Sequence, residues 1–400
     1  MRNYDNFSYT CMFGGGAIRG AAHAGVVKCF EELGIKPSIL VGSSVGALVA
    51  MLYAVGYTSE ELAEVFLSVN FELFRDISLG FNHKFALSKG EVFLNWLREL
   101  IEKKYYKEKY VEGKNEPVKF SDLEKDLIII TTDMYTFKCK EFSTFETPDY
   151  EVAMAVRISC CMPGLMRAFN VGDKLLVDGD LMKGKPMWQH SPNLADTNDR
   201  ILEIRLEGEF LGTDEKVAEY VNGMYSCMTS TETDFIRKLY GNSDKYDYLV
   251  INTGNVVVVD FNYPSEKRQA IIDEGYNQTK KYFTQTLIEK KQKILACYKN
   301  ILEKLEKIYF FLRQSKFMPA KNATSELFIY LAEVRKIMDE EVYHSIKMFQ
   351  KFLFNNVKSG LLGRATCTNR QTITNSLFSI ITDLETRIEK MEEYLNKFSN

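Results

Sequence analysis

The run Ser38-Ile39-Leu40-Val41-Gly42-Ser43-Ser44-Val45-Gly46-Ala47-Leu48-Val49-Ala50-Met51-Leu52-Tyr53-Ala54-Val55-Gly56 decides the fold. Ser38 to Val41 reads as a short strand entering Gly42, and Val45 to Val55 as an apolar helix stopped by Gly56. Between them lies G-x-S-x-G, with Ser44 on the sharp turn from strand to helix. Side chains two positions either side of Ser44 would collide in such a turn, which is why Gly42 and Gly46 are both glycine. The turn pushes the Ser44 hydroxyl outward, and the free amides at the start of the helix favour a developing oxyanion. A Gly/Ser-rich turn without chemistry has the same five letters. The strand before it and the helix after it are what argue for a nucleophile.

Working outward, a second strand-to-loop junction precedes the first. Tyr9 to Phe13 reads as a strand, Gly14-Gly15-Gly16-Ala17-Ile18-Arg19-Gly20 as a Gly-rich loop, and Ala17 to Leu33 as a helix stopped by Gly34. Such a loop presents backbone N–H groups to an anion, either a nucleotide phosphate or the oxyanion of acyl transfer. The dinucleotide fingerprint fails in every register, and no Gly-Lys-Ser/Thr follows for a P-loop. An oxyanion loop fits better, because the elbow at Ser44 needs a second N–H donor from another loop. Arg19 is expected to tie backbone carbonyls, and His23 to be a packed helix residue.

Downstream, Lys174 to Val177 reads as a strand ending in Asp178-Gly179-Asp180. An Asp at a strand end can reach the sheet edge that carries Ser44, although Asp-Gly is a common turn. The four histidines are His23, His83, His190 and His344. A Ser–Asp/Glu–His order would need His190, which lies in a polar loop. A Ser–Asp dyad needs no histidine, only a desolvated carboxylate able to take the serine proton.

The Gly-rich loop with its Arg19, the elbow and the later Asp-Gly occur here in one order. Together with Val152 to Ser159 and Met162-Pro163-Gly164, they resemble the patatin-like phospholipase family over residues 9–284. The resemblance implies a three-layer α/β/α fold with a mainly parallel central sheet, a Ser–Asp dyad and hydrolysis of lipid acyl esters. It implies Ser44 as nucleophile, Asp178 as base, and the amides of Gly15 and Gly16, with that of Val45, as oxyanion donors. It implies no metal or cofactor. Two departures stand out. Ala17 replaces a Gly of many members, and Asp180 replaces the usual Gly or Ala. An added carboxylate at 180 would either repel charge on Asp178 or point to solvent, and solvent is the expectation. Arg157 and Arg167 could line a headgroup site, but solvated arginines are expected.

Other segments fill in the α/β pattern. Thr58 with Glu61 resembles a capping box. Leu127 to Thr132 pairs with Lys138 to Ser143, and Ile201 to Leu206 and Tyr248 to Asn252 are further strands. Phe71 to Tyr110, with Phe74, Phe81, Phe85 and Trp96, is a candidate lid or an ordinary packed segment. From residue 285 to 400 the chain reads as a helical extension. Ile294, Ile301 and Ile308 interleave there with Tyr298, Leu305 and Leu312, and Leu377, Leu384, Met391 and Phe398 with Ile381, Ile388 and Leu395. With a middle helix at 326–354, bounded by Pro319 and by Gly360 and Gly363, this makes three main helices. They pack on each other or serve as a homo-oligomerisation or membrane-docking module.

The 400 residues are 46% hydrophobic and 26% charged, ample for a large core without staples. A net charge of −3 gives no global footprint for nucleic acid. The eight cysteines form no C-x-x-C pair, which argues against zinc and for a reducing compartment. No signal-peptide region and no run near the roughly 20 apolar residues of a membrane span is found. The expectation is a cytoplasmic protein meeting a lipid acyl ester at a membrane surface. The rivals are a His190-dependent α/β-hydrolase-type esterase and an inactive scaffold acting through its helices.

Overall fold

The computed structural model describes residues 9–70, 74, 86–181, 200–208, 223, 246–256, 263–359 and 365–398. The chain forms two compact units that divide between Lys280 and Lys281.

In the first unit β1 (Tyr9–Phe13) leads through a 3-10 turn at Ala17–Gly20 into α1 (Ala21–Leu33). The expected single helix from Ala17 is thus two pieces. Ala17 has φ 47, and a left-handed residue cannot open an α-helix. Then follow β2 (Pro37–Ser43), α2 (Val45–Val55) and α3 (Ser59–Ser68), the last opened by a complete Thr58–Glu61 capping box. After β3 (Ala86–Ser88), α4 (Glu91–Tyr106) packs Phe93, Leu94, Leu97 and Ile101 inward. Trp96, half-buried, packs against Phe74 and Phe93, so this part of the lid candidate is a packed segment. Phe81 and Phe85 lie outside the described residues.

Next come β4 (Asp126–Asp133), β5 (Lys138–Ser143), α5 (Val152–Ser159), β6 (Gly164–Met166), β7 (Phe169–Val171), β8 (Lys174–Asp178), β9 (Arg200–Glu207), β10 (Tyr246–Asn252) and α6 (Ser265–Lys281). Among the described residues the main sheet has eight strands in the order β10-β9-β1-β2-β4-β8-β7, with β5 also paired to β4. From β10 to β4 all pairs are parallel. The central strands β1, β2 and β4 are buried almost throughout, as a sheet covered on both faces requires. This is the mainly parallel α/β/α fold that the sequence implies.

One detail of register positions the site. β5 pairs antiparallel with residues 128–133 of β4 and so occupies one edge of that strand. The other edge is shared by β2, which ends with Ser43 opposite Ile130, and by β8, which ends with Asp178 opposite Thr131. Two strands thus meet end to end along β4, which brings Ser44, the residue after β2, to Asp178 although the two are 134 positions apart.

The second unit is helical. It holds α7 (Leu287–Arg313), α8 (Phe317–Val334), α9 (Glu340–Asn356), a small hairpin of β11 (Val357–Ser359) and β12 (Ala365–Cys367), and α10 (Arg370–Phe398). The expected middle helix is two helices, broken at Arg335–Ile337 and restarted by the Asp339 side chain, which accepts from the amides of Glu341 and Val342. Pro319 lies inside the first turn of α8 rather than before it, a place where its missing N–H costs nothing. Gly360 and Gly363 are outside the described residues. Ile294, Ile301, Ile308, Tyr298, Leu305 and Leu312 are all buried, as are Leu377, Leu384, Met391, Ile381, Ile388 and Leu395. Among the described residues, no helix is long and apolar enough to cross a membrane.

Candidate active site

Ser44 is the one residue between β2 and α2, with φ 51 and ψ −131. Side chains rarely hold this conformation, and it persists only where the surroundings fix it. The surroundings here are close backbone contacts. A Cβ on Gly42 would lie 2.5 Å from the Cα of Ala47, and one on Gly46 would lie 2.0 Å from the carbonyl oxygen of Phe13. Both glycines of the elbow are therefore steric requirements, the second because α2 starts against the end of β1.

Ser44 Oγ donates to Asp178 Oδ2 at 2.7 Å. The two residues are 5% and 1% exposed, so the pair is largely withdrawn from water. The other oxygen of Asp178 accepts the Asp180 amide at 2.8 Å, which fixes the carboxylate's orientation. Gly179 lets the chain turn away beneath the elbow, since a Cβ there would sit 2.1 Å from the Ile130 carbonyl.

The Gly-rich loop lies against the same hydroxyl. A Cβ on Gly15 would meet Ser44 Cβ at 2.8 Å. The Gly14 amide donates to Ile204 O at 2.9 Å, and Arg19 donates to Val256 O at 3.2 Å through Nε and 2.9 Å through Nη2. Among the described residues, none accepts a hydrogen bond from the amides of Gly15, Gly16 or Val45. Gly20 packs against Val45, where a Cβ would meet the valine at 2.2 Å. His23 is fully buried, with Nε2 2.8 Å from Gly14 O. Burial pulls its pKa down to about 4, partly offset by that bond and by the charge of Asp180. Nε2 therefore carries the proton, and the ring props the loop in neutral form.

Asp180 does not point to solvent, contrary to expectation. It is 1% exposed and accepts a hydrogen bond from Ser43 Oγ, with Arg205 Nη1 at 3.9 Å. Arg205, itself buried, also pairs with Glu203, which accepts from the Tyr246 hydroxyl. The guanidinium is held fully charged by these carboxylates, against the pull of its own burial. A cation from β9 is what makes a second buried acid tolerable here. Arg157 is likewise not solvated: it is 3% exposed and donates to Lys89 O at 2.7 Å. Arg167 is exposed, and His190 lies outside the described residues.

Sequence reasoning missed the contributions of residues 159–161. Ser159 Oγ accepts the Ser44 amide at 3.0 Å and donates to Ile130 O at 2.6 Å. Cys160 Sγ donates to Ser44 O at 3.1 Å, and Cys161 O accepts the Asp178 amide at 2.9 Å. Burial, with Asp178 nearby, drives the Cys160 thiol well above its ordinary pKa, so it stays protonated and donates. The signal available was a hydroxyl at the end of a helix that is apolar apart from Arg157. Among the described residues, no three His, Cys, Asp or Glu side chains are grouped to hold a metal.

Residues 11–187 match the family model described as patatin-like phospholipase. Over 297 residues the chain is 23% identical to the uncharacterized protein YqhO of Bacillus subtilis, covering 68% of this chain and 97% of that one. A 43-residue stretch is 49% identical to lysophospholipase nte1 of Aspergillus fumigatus, covering 11% of this chain and 3% of that much longer protein. Among solved structures, VipD from Legionella pneumophila superposes with a TM-score of 0.53 at 14% identity, covering 94% of this chain and 91% of that one. That last likeness is one of fold.

Proposed function

We propose that this chain, which through residues 11–187 belongs to the patatin-like phospholipase family of hydrolases, cleaves fatty-acyl esters of lipids at a membrane surface through a dyad of Ser44 and Asp178. The observation that carries the reading is the 2.7 Å hydrogen bond from Ser44 Oγ to Asp178 Oδ2 inside a desolvated elbow. A general base must lie within hydrogen-bond reach of the proton it takes, and Asp178 does.

Asp178 Oδ2 accepts the Ser44 proton as Oγ bonds to the acyl carbon. The carbonyl oxygen becomes an oxyanion, and the amides of Gly15, Gly16 and Val45 are the donors on hand. Each such donor contributes about 3 kcal/mol in the transition state. Collapse expels the alcohol or lysolipid, which leaves with the proton from Asp178. Water then attacks the acyl-enzyme and gives its proton to Asp178, and the fatty acid departs as that proton returns to Ser44. The Ser44 hydroxyl already donates to the Asp178 carboxylate, and His23 is engaged with Gly14. This favours the carboxylate over an imidazole as base.

The test is hydrolysis of a p-nitrophenyl acyl ester and of a mixed lipid extract read by mass spectrometry. Ser44→Ala and Asp178→Asn should each abolish both while the protein stays folded. Activity surviving in either variant would refute the dyad.

A further inference from the structure

We propose that Ser159 is the positioning residue of the nucleophile, holding the Ser44 backbone so that its hydroxyl faces Asp178; this rests on the dyad reading above. Ser159 is the last residue of α5 and is fully buried. Its hydroxyl stands where the edge of β4 passes from β2 to β8, between Ile130 and Thr131. Strand ladders are interrupted at such a junction, and buried backbone groups there need another partner. The Ile130 carbonyl requires a donor and the Ser44 amide an acceptor. A serine hydroxyl is the smallest side chain that supplies both at once, and it does so at 2.6 Å and 3.0 Å.

The next two residues complete the grip. Cys160 Sγ donates to the Ser44 carbonyl at 3.1 Å, and the Cys161 carbonyl accepts the Asp178 amide at 2.9 Å. Three consecutive residues thus hold both backbone groups of the nucleophile and the amide of its base. Ser44 occupies a conformation, φ 51 and ψ −131, that its own preferences oppose, so its Oγ stays aimed only while its backbone is held. The bond also consumes the Ser44 amide and leaves oxyanion binding to Gly15, Gly16 and Val45. Ser159 itself touches no substrate atom in this scheme. Its effect runs through Ser44.

The experiment compares wild type with Ser159→Ala, Ser159→Cys and Ser159→Thr. It reads kcat and KM on a soluble p-nitrophenyl ester, and deuterium exchange at the Ser44 amide. A misplacement of about 1 Å costs about 100-fold in rate, so Ser159→Ala should lower kcat by about 10- to 100-fold with KM within about twofold. Ser159→Thr, which keeps the hydroxyl, should recover most of that loss. Exchange at Ser44 should quicken at least about tenfold in Ser159→Ala, as expected when a buried amide loses its acceptor. Should Ser159→Ala not fold, Ser159→Cys preserves the volume with a weaker acceptor and should show the same losses in smaller measure. A folded Ser159→Ala or Ser159→Cys with wild-type kcat and unchanged exchange overturns the proposal. If instead the wild type lacks esterase activity, or Ser44→Ala keeps it, the dyad reading fails. The exchange measurement still decides whether Ser159 holds Ser44.

Discussion

The elbow around Ser44 and the stripes of the helical unit are both apolar and buried, yet each is fixed by different means. Around Ser44 the backbone itself is the packing surface. Gly42 meets Ala47, Gly46 meets Phe13, and Gly15 meets Ser44, each with no room for one carbon atom. In the helical unit large side chains do the packing, and Ile301, Leu305, Ile308 and Leu327 belong to one extensive cluster. A backbone contact has no slack, whereas a cluster of side chains shares a loss among many neighbours. Function should therefore fail abruptly at the elbow, and stability should erode by degrees in the helices.

The widest gap is expected from Gly46→Ala. The added carbon would sit 2.0 Å from the Phe13 carbonyl oxygen, an atom of β1 that cannot swing aside. Ester hydrolysis should fall by about 100-fold or more as the elbow shifts, with about 3 kcal/mol lost from the first unit. Gly56→Ala is the control. It has positive φ, 103, but nothing within 4 Å, so only backbone strain of about 1 kcal/mol is added and activity should hold. Equal activity in the two variants would break the contrast.

Leu305→Ala tests the other side. Leu305 is fully buried in the helical cluster, and truncation there costs about 2–5 kcal/mol by denaturant unfolding. Hydrolysis of a short soluble ester should change less than about twofold at temperatures where the variant is folded. A 100-fold loss of activity would show that the helices share in the chemistry.

The elbow and the stripes were legible in the sequence because each repeats a local rule. Glycine at two fixed offsets from Ser44 and apolar residues at steps of three and four can be read without knowing the fold. Asp180 was not legible, because its burial depends on Arg205 arriving from β9 and on the Ser43 hydroxyl. Nothing in Lys174 to Asp178 says that β8 runs antiparallel to β4, which is what sets Asp178 beside Ser44. The break between α8 and α9 did leave a mark. Asp339 followed by Glu340 and Glu341 is an N-cap signature, masked by apolar residues that continue on either side.

A pH titration sharpens the contrast further, since His23 is buried on the elbow side. Its folded pKa is about 4 against an ordinary value of 6.5. Between those values the unfolded chain binds more protons than the folded one. Stability therefore falls as pH drops from 6.5 toward 4, by up to about 3 kcal/mol, and this contribution is gone below about 4. His23→Gln keeps a donor for Gly14 O and removes the titration. Over that window, the first unit of wild type should lose stability relative to His23→Gln. Parallel curves would mean that the ring is not held neutral.

The smallest effect compares like with like, because each unit has a helix opened by a side-chain cap. Thr58 accepts the Glu61 amide at 3.3 Å, and Glu61 Oε2 accepts the Thr58 amide at 2.7 Å, both exposed to water. Asp339 accepts the Glu341 amide at 2.9 Å and the Val342 amide at 3.4 Å, and is 7% exposed, with Arg387 at 4.0 Å. Losing a cap costs about 0.5–2 kcal/mol. When Thr58→Ala frees its amides, water takes them over, which sets the cost near the lower figure. Asp339→Ala strands the buried Val342 amide and removes a carboxylate beside Arg387, so the cost belongs near the upper figure. Unfolding of the two variants should rank Asp339→Ala as the more damaging by about 1 kcal/mol. The reverse order would mean that the break between α8 and α9 is fixed by packing rather than by its cap.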